Sequence, residues 1–355
     1  MIPPSFQSSL SSSSSMTNDG MMAINASHPK IKKLLHPYID DSTRAQYFAR
    51  CCHEDELLLL DERLVDFGSR YHIIVKKVSK ENNSIGSTDF IVLFHASVIG
   101  WDEVKDHAIP ALQSIFGVTN VSDPKLEEHQ EVVDVATSSE DVLYDVCIKV
   151  ISNQIPKGQT LASCFDSLYK VRTIILGSRL IEELSTFLKK IESSPNQQVA
   201  SETYTIPIQR HNKSNQSMVV TTTRSERVTI VIPVVFENDT ERAFAKLFLQ
   251  QFQQAQRKSS AKNAPICDFR RCNEPPREMA SVQGSLNIDI DNLAGYMSFT
   301  FLENQFKTEK DHMKVTENML MLFDFLDYHI KCSKSYLHTR MRDKKEALLS
   351  VLNKN

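Results

Sequence analysis

The chain has 355 residues, of which 41% are hydrophobic, with 41 basic and 44 acidic side chains and a formal net charge of −3. That length suits two ordinary domains with a sizeable core, and the charge excludes a globally basic nucleic-acid binder. Only 9 glycines occur, no G-x-G-x-x-G or G-x-x-x-x-G-K-[ST] run is present, and no apolar run reaches about eighteen residues, so neither a phosphate-cradling loop nor a transmembrane helix is expected.

Residues 1–27 read as a disordered tail. They hold "SSLSSSSS" (8–15) and no Lys or Arg, unlike a secretory signal or transit peptide. Residues 29–50 have mixed helical character with a break at Pro37. Two short strands are expected around Gly68 within 62–78, and a buried strand over 88–98. A helix follows over 101–117, bearing Pro110 and stopped by Gly117. "DVLYDVCIKVI" (141–151) reads as a strand with Val142, Tyr144, Val146, Ile148 and Val150 on one face. Residues 160–192 form a long helical pattern crossed by Gly177. Three strands follow, at 202–210, 217–223 and 227–236. An amphipathic helix over 238–258 has Asp239 or Thr240 as its cap and Phe244, Leu247, Phe248 and Phe252 as its apolar face. A proline-bearing loop and a last strand at 292–302 complete the second set.

The element order repeats, which predicts an α/β (α+β) fold. Two similar modules of mainly antiparallel sheet with flanking helices are expected at 28–158 and 159–308, followed by one long helix at 309–355. From Tyr296 onward there is no further Gly and no Pro. A single helix over 310–353 would be about 65 Å long at 1.5 Å per residue.

That helix holds "YHIKCSKSYLHTRMRDKK" (328–345), with six Lys or Arg and one acid, Asp343. At 100° per residue, Leu322, Leu326, Ile330, Leu337, Met341 and Leu348 share one stripe, which must be buried in cis or by a partner. Beside it, Lys331, Lys334, His338, Arg342 and Lys345 form one basic ridge, while Arg340 and Lys344 lie elsewhere. Helix-dipole stabilisation would gather cations only in the last turn, and this ridge begins well before it.

Chemistry has little support. His329 and Cys332 stand at i, i+3 without a carboxylate to orient them, and no H-E-x-x-H spacing occurs. The seven cysteines are irregularly spaced, with Cys51 and Cys52 adjacent, and are expected as reduced thiols of a cytosolic protein. No catalytic residue, metal or cofactor is expected. A nucleic-acid-binding reading of the basic helix competes, but only Tyr336 is available nearby for base stacking.

"YHIKCSKSYLHTRMR" (328–342) resembles the C-terminal signature of the actin-related protein 2/3 complex subunit 2 family, the 34 kDa type. Residues 226–257, "APICDFRRCNEPPREM" (264–279) and "AGYMSF" (294–299) are similar too, with weaker echoes in "FGSRYHI" (67–73). The resemblance covers 30–352. It implies a non-catalytic subunit that pairs with subunit 4 through the helix stripe, joins the actin-related protein subunits and lies on the side of the mother actin filament. It implies filament contact by Lys331, Lys334, Arg340, Arg342 and Lys345, and by Arg224 and Arg227 of "TRSER". Ser225 stands where the family tends to have lysine, and "LENQ" (302–305) where it tends to have Pro-Arg-His.

Overall fold

Strand β3 (Phe90–Ser97) alternates buried Phe90, Val92, Phe94 and Ala96 with half-buried Ile91, Leu93, His95 and Ser97. One dry face and one wetter face mark an antiparallel sheet covered on one side. The computed structural model describes residues 28–51, 58–66, 69–78, 89–122, 144–193, 202–210, 213–223, 227–258, 265–282, 284, 286 and 288–352.

The first half opens with helices α1 (Pro29–Leu35) and α2 (Asp41–Cys51), separated by a turn through Pro37. A meander of β1 (Leu58–Asp66), β2 (Ser69–Lys77) and β3 follows. Helix α3 (Trp101–Phe116) then runs through Pro110 and stops at Gly117, whose φ of 94° favours a residue without Cβ. Short β4 (Val121–Ser122) lies at the sheet edge, and β5 (Val146–Ile151) returns between it and β3. The order is β1-β2-β3-β5-β4, and every pairing is antiparallel.

The second half repeats this topology. A meander of β6 (Glu202–Arg210), β7 (Lys213–Thr223) and β8 (Arg227–Val235) leads to α6 (Asp239–Lys258). Edge strand β9 (Ile266–Arg270) follows, and then β10 (Leu293–Leu302), placed between β9 and β8. The order is β6-β7-β8-β10-β9, again antiparallel throughout. Between the sheets run α4 (Leu161–Tyr169) and α5 (Val171–Ser193), and the chain's last element is α7 (Glu309–Leu352).

Several local expectations change. The helical pattern over 160–192 is two helices, the first held by a reciprocal cap between Thr160 and Ser163. The cap of α6 is Asn238, whose side-chain oxygen accepts from the Thr240 and Glu241 amides. Strand β9 (Ile266–Arg270) falls within the stretch whose prolines predict a loop. Val142 lies outside the described residues. Tyr144 precedes β5 and does not continue its buried row: its ring lies 5.9 Å from His72 and 5.5 Å from His95, on the face away from the core.

Each sheet packs one face against helices, giving two cores. The first gathers β2, β3 and β5 with α1, α3, α4 and residues 171–176 of α5. The second gathers β8 and β10 with α6, Leu180, Leu184 and Phe187 of α5, and much of α7. Helix α5 thus serves both cores, although the sequence places it wholly in a module beginning at 159. Its apolar face changes core at Gly177, where a Cβ would run into Thr316 Cγ2 of α7. Thr316 is fully buried, so its methyl has little room to give.

Gly177→Ala should therefore destabilise the chain by about 1–3 kcal/mol in chemical denaturation, although alanine is the better helix former. Adding Thr316→Ser, which removes only the clashing methyl, should recover much of the loss.

Candidate functional site on the C-terminal helix

Helix α7 begins with a reciprocal cap. The Thr308 side chain accepts from the Asp311 amide, and the Asp311 carboxylate accepts from the Thr308 amide and hydroxyl. Those bonds hold the Asp311 pKa below its ordinary value. One residue on, buried His312 donates from Nε2 to the Phe306 carbonyl at 2.7 Å and accepts at Nδ1 from the Ser185 hydroxyl at 3.1 Å. Lys170 reaches Glu317 at 2.8 Å, and Arg172 reaches Asp324 at 2.7 Å. Their carboxylates are largely withdrawn from water and their cations partly so, which fixes the register of α7 against α5 more firmly than fully exposed ion pairs would.

Leu322, Leu326 and Ile330 are buried in the second core. This half of the expected partner stripe is covered by the chain itself. Leu337, Met341 and Leu348 of the same stripe are 44%, 61% and 60% exposed. The change falls at the last contacts with α6. His329 lies over Phe248 in a stacked arrangement at 5.7 Å, with Phe325 one turn back at 4.1 Å. Burial among these rings pushes its pKa below the ordinary imidazole value. Beyond it, Lys334 pairs with Glu241 of α6 at 3.1 Å. His329 does not engage Cys332 in these contacts; Cys332 instead meets the Tyr328 phenol, whose pKa that hydrogen bond raises.

From residue 335 to 352 every side chain is exposed, an arm of about 27 Å at 1.5 Å per residue. Arg342 and Lys345 are exposed along it, on the same side as His338, and Lys331 is exposed on that side just before the arm begins. Arg340 is exposed too, but helical spacing places it at the opposite edge of the apolar stripe. Lys334 is half-buried in its ion pair and belongs as much to the α6 junction as to the ridge. Arg227 is exposed at the start of β8, on the sheet rather than on the arm. Arg224 lies outside the described residues. Sequence reasoning missed Val351 and Leu352, 62% and 60% exposed, which extend the stripe by helical spacing. It also missed Glu241, and it had Phe248 only as part of the apolar face of α6; the parts of both depend on a contact between helices far apart in sequence.

Among the described residues, Cys147, Cys164, Cys267, Cys272 and Cys332 carry free thiols, and burial pushes the Cys267 pKa up to about 12. Also among the described residues, no cluster of three or more His, Cys, Asp or Glu could hold a metal ion, and no helix is long and apolar enough to cross a membrane.

An exposed apolar stripe on a projecting helix, here crossed by Lys344 between Met341 and Leu348, is the geometry of an assembly component. The chain belongs to the family described as "Arp2/3 complex, 34 kD subunit p34-Arc", which matches residues 104–355. Over 140 residues, 39% of this chain and 43% of the relative, it is 31% identical to the "Actin-related protein 2/3 complex subunit 2" of Schizosaccharomyces pombe. Over 131 residues, 37% of this chain and 42% of the relative, it is 29% identical to the protein of the same name from Dictyostelium discoideum. Each match spans less than half the length of the relative.

The two halves of the stripe should respond differently to truncation. Leu326→Ala should cost about 2–4 kcal/mol in the isolated chain, whereas Leu337→Ser should change its denaturation midpoint little.

His329 should also make stability depend on pH. Its folded pKa is depressed, so the unfolded chain takes up the proton first. The contribution of the neutral stack is complete above the ordinary value of 6.5 and is lost as pH falls through the lower folded value. His329→Phe should flatten the fall of stability as pH drops below about 6.5.

Proposed function

We propose that the chain is a non-catalytic core subunit of an actin-related protein 2/3 complex, that it lies on the side of the mother filament and that it supports nucleation of branches. Family membership supports the assembly. The observation that carries the rest is the arm over 335–352, with an uncovered apolar stripe and a basic ridge on neighbouring faces.

In this reading Leu337, Met341 and Leu348, continued by Val351 and Leu352, dock on subunit 4. Leu322, Leu326 and Ile330 anchor the arm in cis. Lys331, Arg342 and Lys345 face the filament, aided by Arg340 and by Arg224 and Arg227 from the second sheet. Such contacts are individually modest and screened by salt, so several must act together. The actin-related protein subunits are the other partners, and the actin cytoskeleton of the cytoplasm is the place of action. The chain needs no cofactor for this role.

Filament cosedimentation of the assembled complex tests the ridge. Combined Lys331→Glu, Arg342→Glu and Lys345→Glu should weaken binding by about tenfold near physiological salt. Lys334 is left intact because a glutamate there would oppose Glu241. Undiminished sedimentation of the assembled variant would sink the filament assignment. Leu337→Ser with Met341→Ser and Leu348→Ser should instead abolish copurification of subunit 4.

A further inference from the structure

The two sheets share one topology but differ on the face turned away from their helices. On the second sheet that face carries Val219, Val231, Leu293 and Tyr296. It is roofed by Met279, with Val282, Leu286 and Ile288 packed alongside, all from the connection between β9 and β10. The register sets out the corresponding face of the first sheet. Asp61 lies opposite Ile74, Arg63 opposite His72, and Val65 opposite Arg70. Lys76 lies opposite Ile91, Ile74 opposite Leu93, and His72 opposite His95. Lys149 lies opposite Leu93, and Cys147 opposite His95.

This face therefore has an apolar and aromatic centre ringed by cations. Ile74 is buried, Leu93 and His95 are half-buried, and Tyr144 rests on the two histidines. Around them stand exposed Arg63, Arg70 and Lys149 and half-buried Lys76. Burial pushes the Tyr144 pKa up, and the charges of Arg63 and Arg70 oppose that rise. The nearby acid, Asp61, is engaged by His72 at 2.7 Å. Among the described residues none of the four cations has an ion-pair partner. In a chain of net charge −3, such a face is a local feature that self-neutralisation would otherwise remove.

We propose that this face of the first sheet docks an acidic polypeptide segment of a partner protein. An apolar centre with a charged rim is the anatomy of a protein interface. The cations are spread from β1 to β5, about 14 Å across three strand spacings. They do not converge on one point as a single phosphate would require. They match carboxylates distributed along a chain, with an apolar residue between them to meet Ile74 and Leu93. Tyr144 is a lone aromatic packed on histidines, which is a poor platform for successive nucleobases. The face is separate in sequence from the ridge of α7, so it can succeed or fail independently of the filament reading.

The test uses the full chain bearing Lys331→Glu, Arg342→Glu and Lys345→Glu, so that the arm does not contribute. Labelled poly-L-glutamate is the probe, read by fluorescence anisotropy. Salt-sensitive binding that falls about tenfold in Arg63→Glu with Arg70→Glu and Lys149→Glu is expected, with a smaller fall for the three Gln replacements. Absence of binding at low salt overturns the proposal, as does binding unchanged by both sets of replacements. Tighter retention on heparin or phosphatidylserine vesicles, lost with the same residues, assigns the face to another polyanion and also overturns it. Binding that appears only after deletion of residues 123–143, which include Glu127, Glu128, Glu131 and Asp134, makes the chain's own segment the occupant and overturns the partner.

Discussion

The structure turns on the place where α5 and α7 meet at Gly177 and Thr316. One helix crosses from the first core to the second there, and the other lies against it at a distance that a Cβ would prevent. Close helix packing exchanges water for dense van der Waals contact. It also brings Lys170 to Glu317 and Arg172 to Asp324 in partly dry surroundings. The two sheets have separate cores, so these helices are what join them. The direction in which α7 leaves the body is set by the same contact.

Along α7 one periodicity carries two roles. As far as Ile330 the stripe is a core element, and its burial pins the helix to the second sheet. The ring stack at His329 and the Lys334–Glu241 pair end the docked part. Beyond them an isolated helix of some eighteen residues has little to hold it in water except its own hydrogen bonds and its continuity with the docked portion. The anchored turns act as a preformed nucleus. The arm can then expose apolar side chains and a line of cations without an interleaved row of acids, as a solvated helix would not.

The repeated sheet topology shows how one architecture is adapted twice. In each half a meander, a helix, an edge strand and a return strand give the same strand order. The helix-facing sides are alike, because a one-sided antiparallel sheet must bury one face. The opposite sides have diverged. The second is roofed over its apolar part by its own β9–β10 connection and carries paired threonine hydroxyls beyond it, whereas the first carries arginines, lysines and a histidine pair across its strands.

Much of this was legible in the residues. Alternation marked β3, the glycine after Phe116 ended α3, and the lack of Gly and Pro after Gly295 foretold one unbroken final helix, observed as 44 residues. The motif at 328–342 pointed to the family. Local rules failed where a distant contact decided the outcome. Spacing alone put Tyr144 with the buried row of β5, yet the histidines of β2 and β3 draw it to the other face. By itself the sequence determined that α7 is a helix with an apolar stripe beside a basic ridge, since hydrogen bonding and periodicity are properties of neighbouring residues. Only the tertiary structure decided that the stripe is buried as far as Ile330 and open from Leu337, that Lys334 belongs to Glu241, and that α5 is shared. Burial depends on which surfaces arrive from elsewhere in the chain, and a helix carries no local mark of where its covering ends.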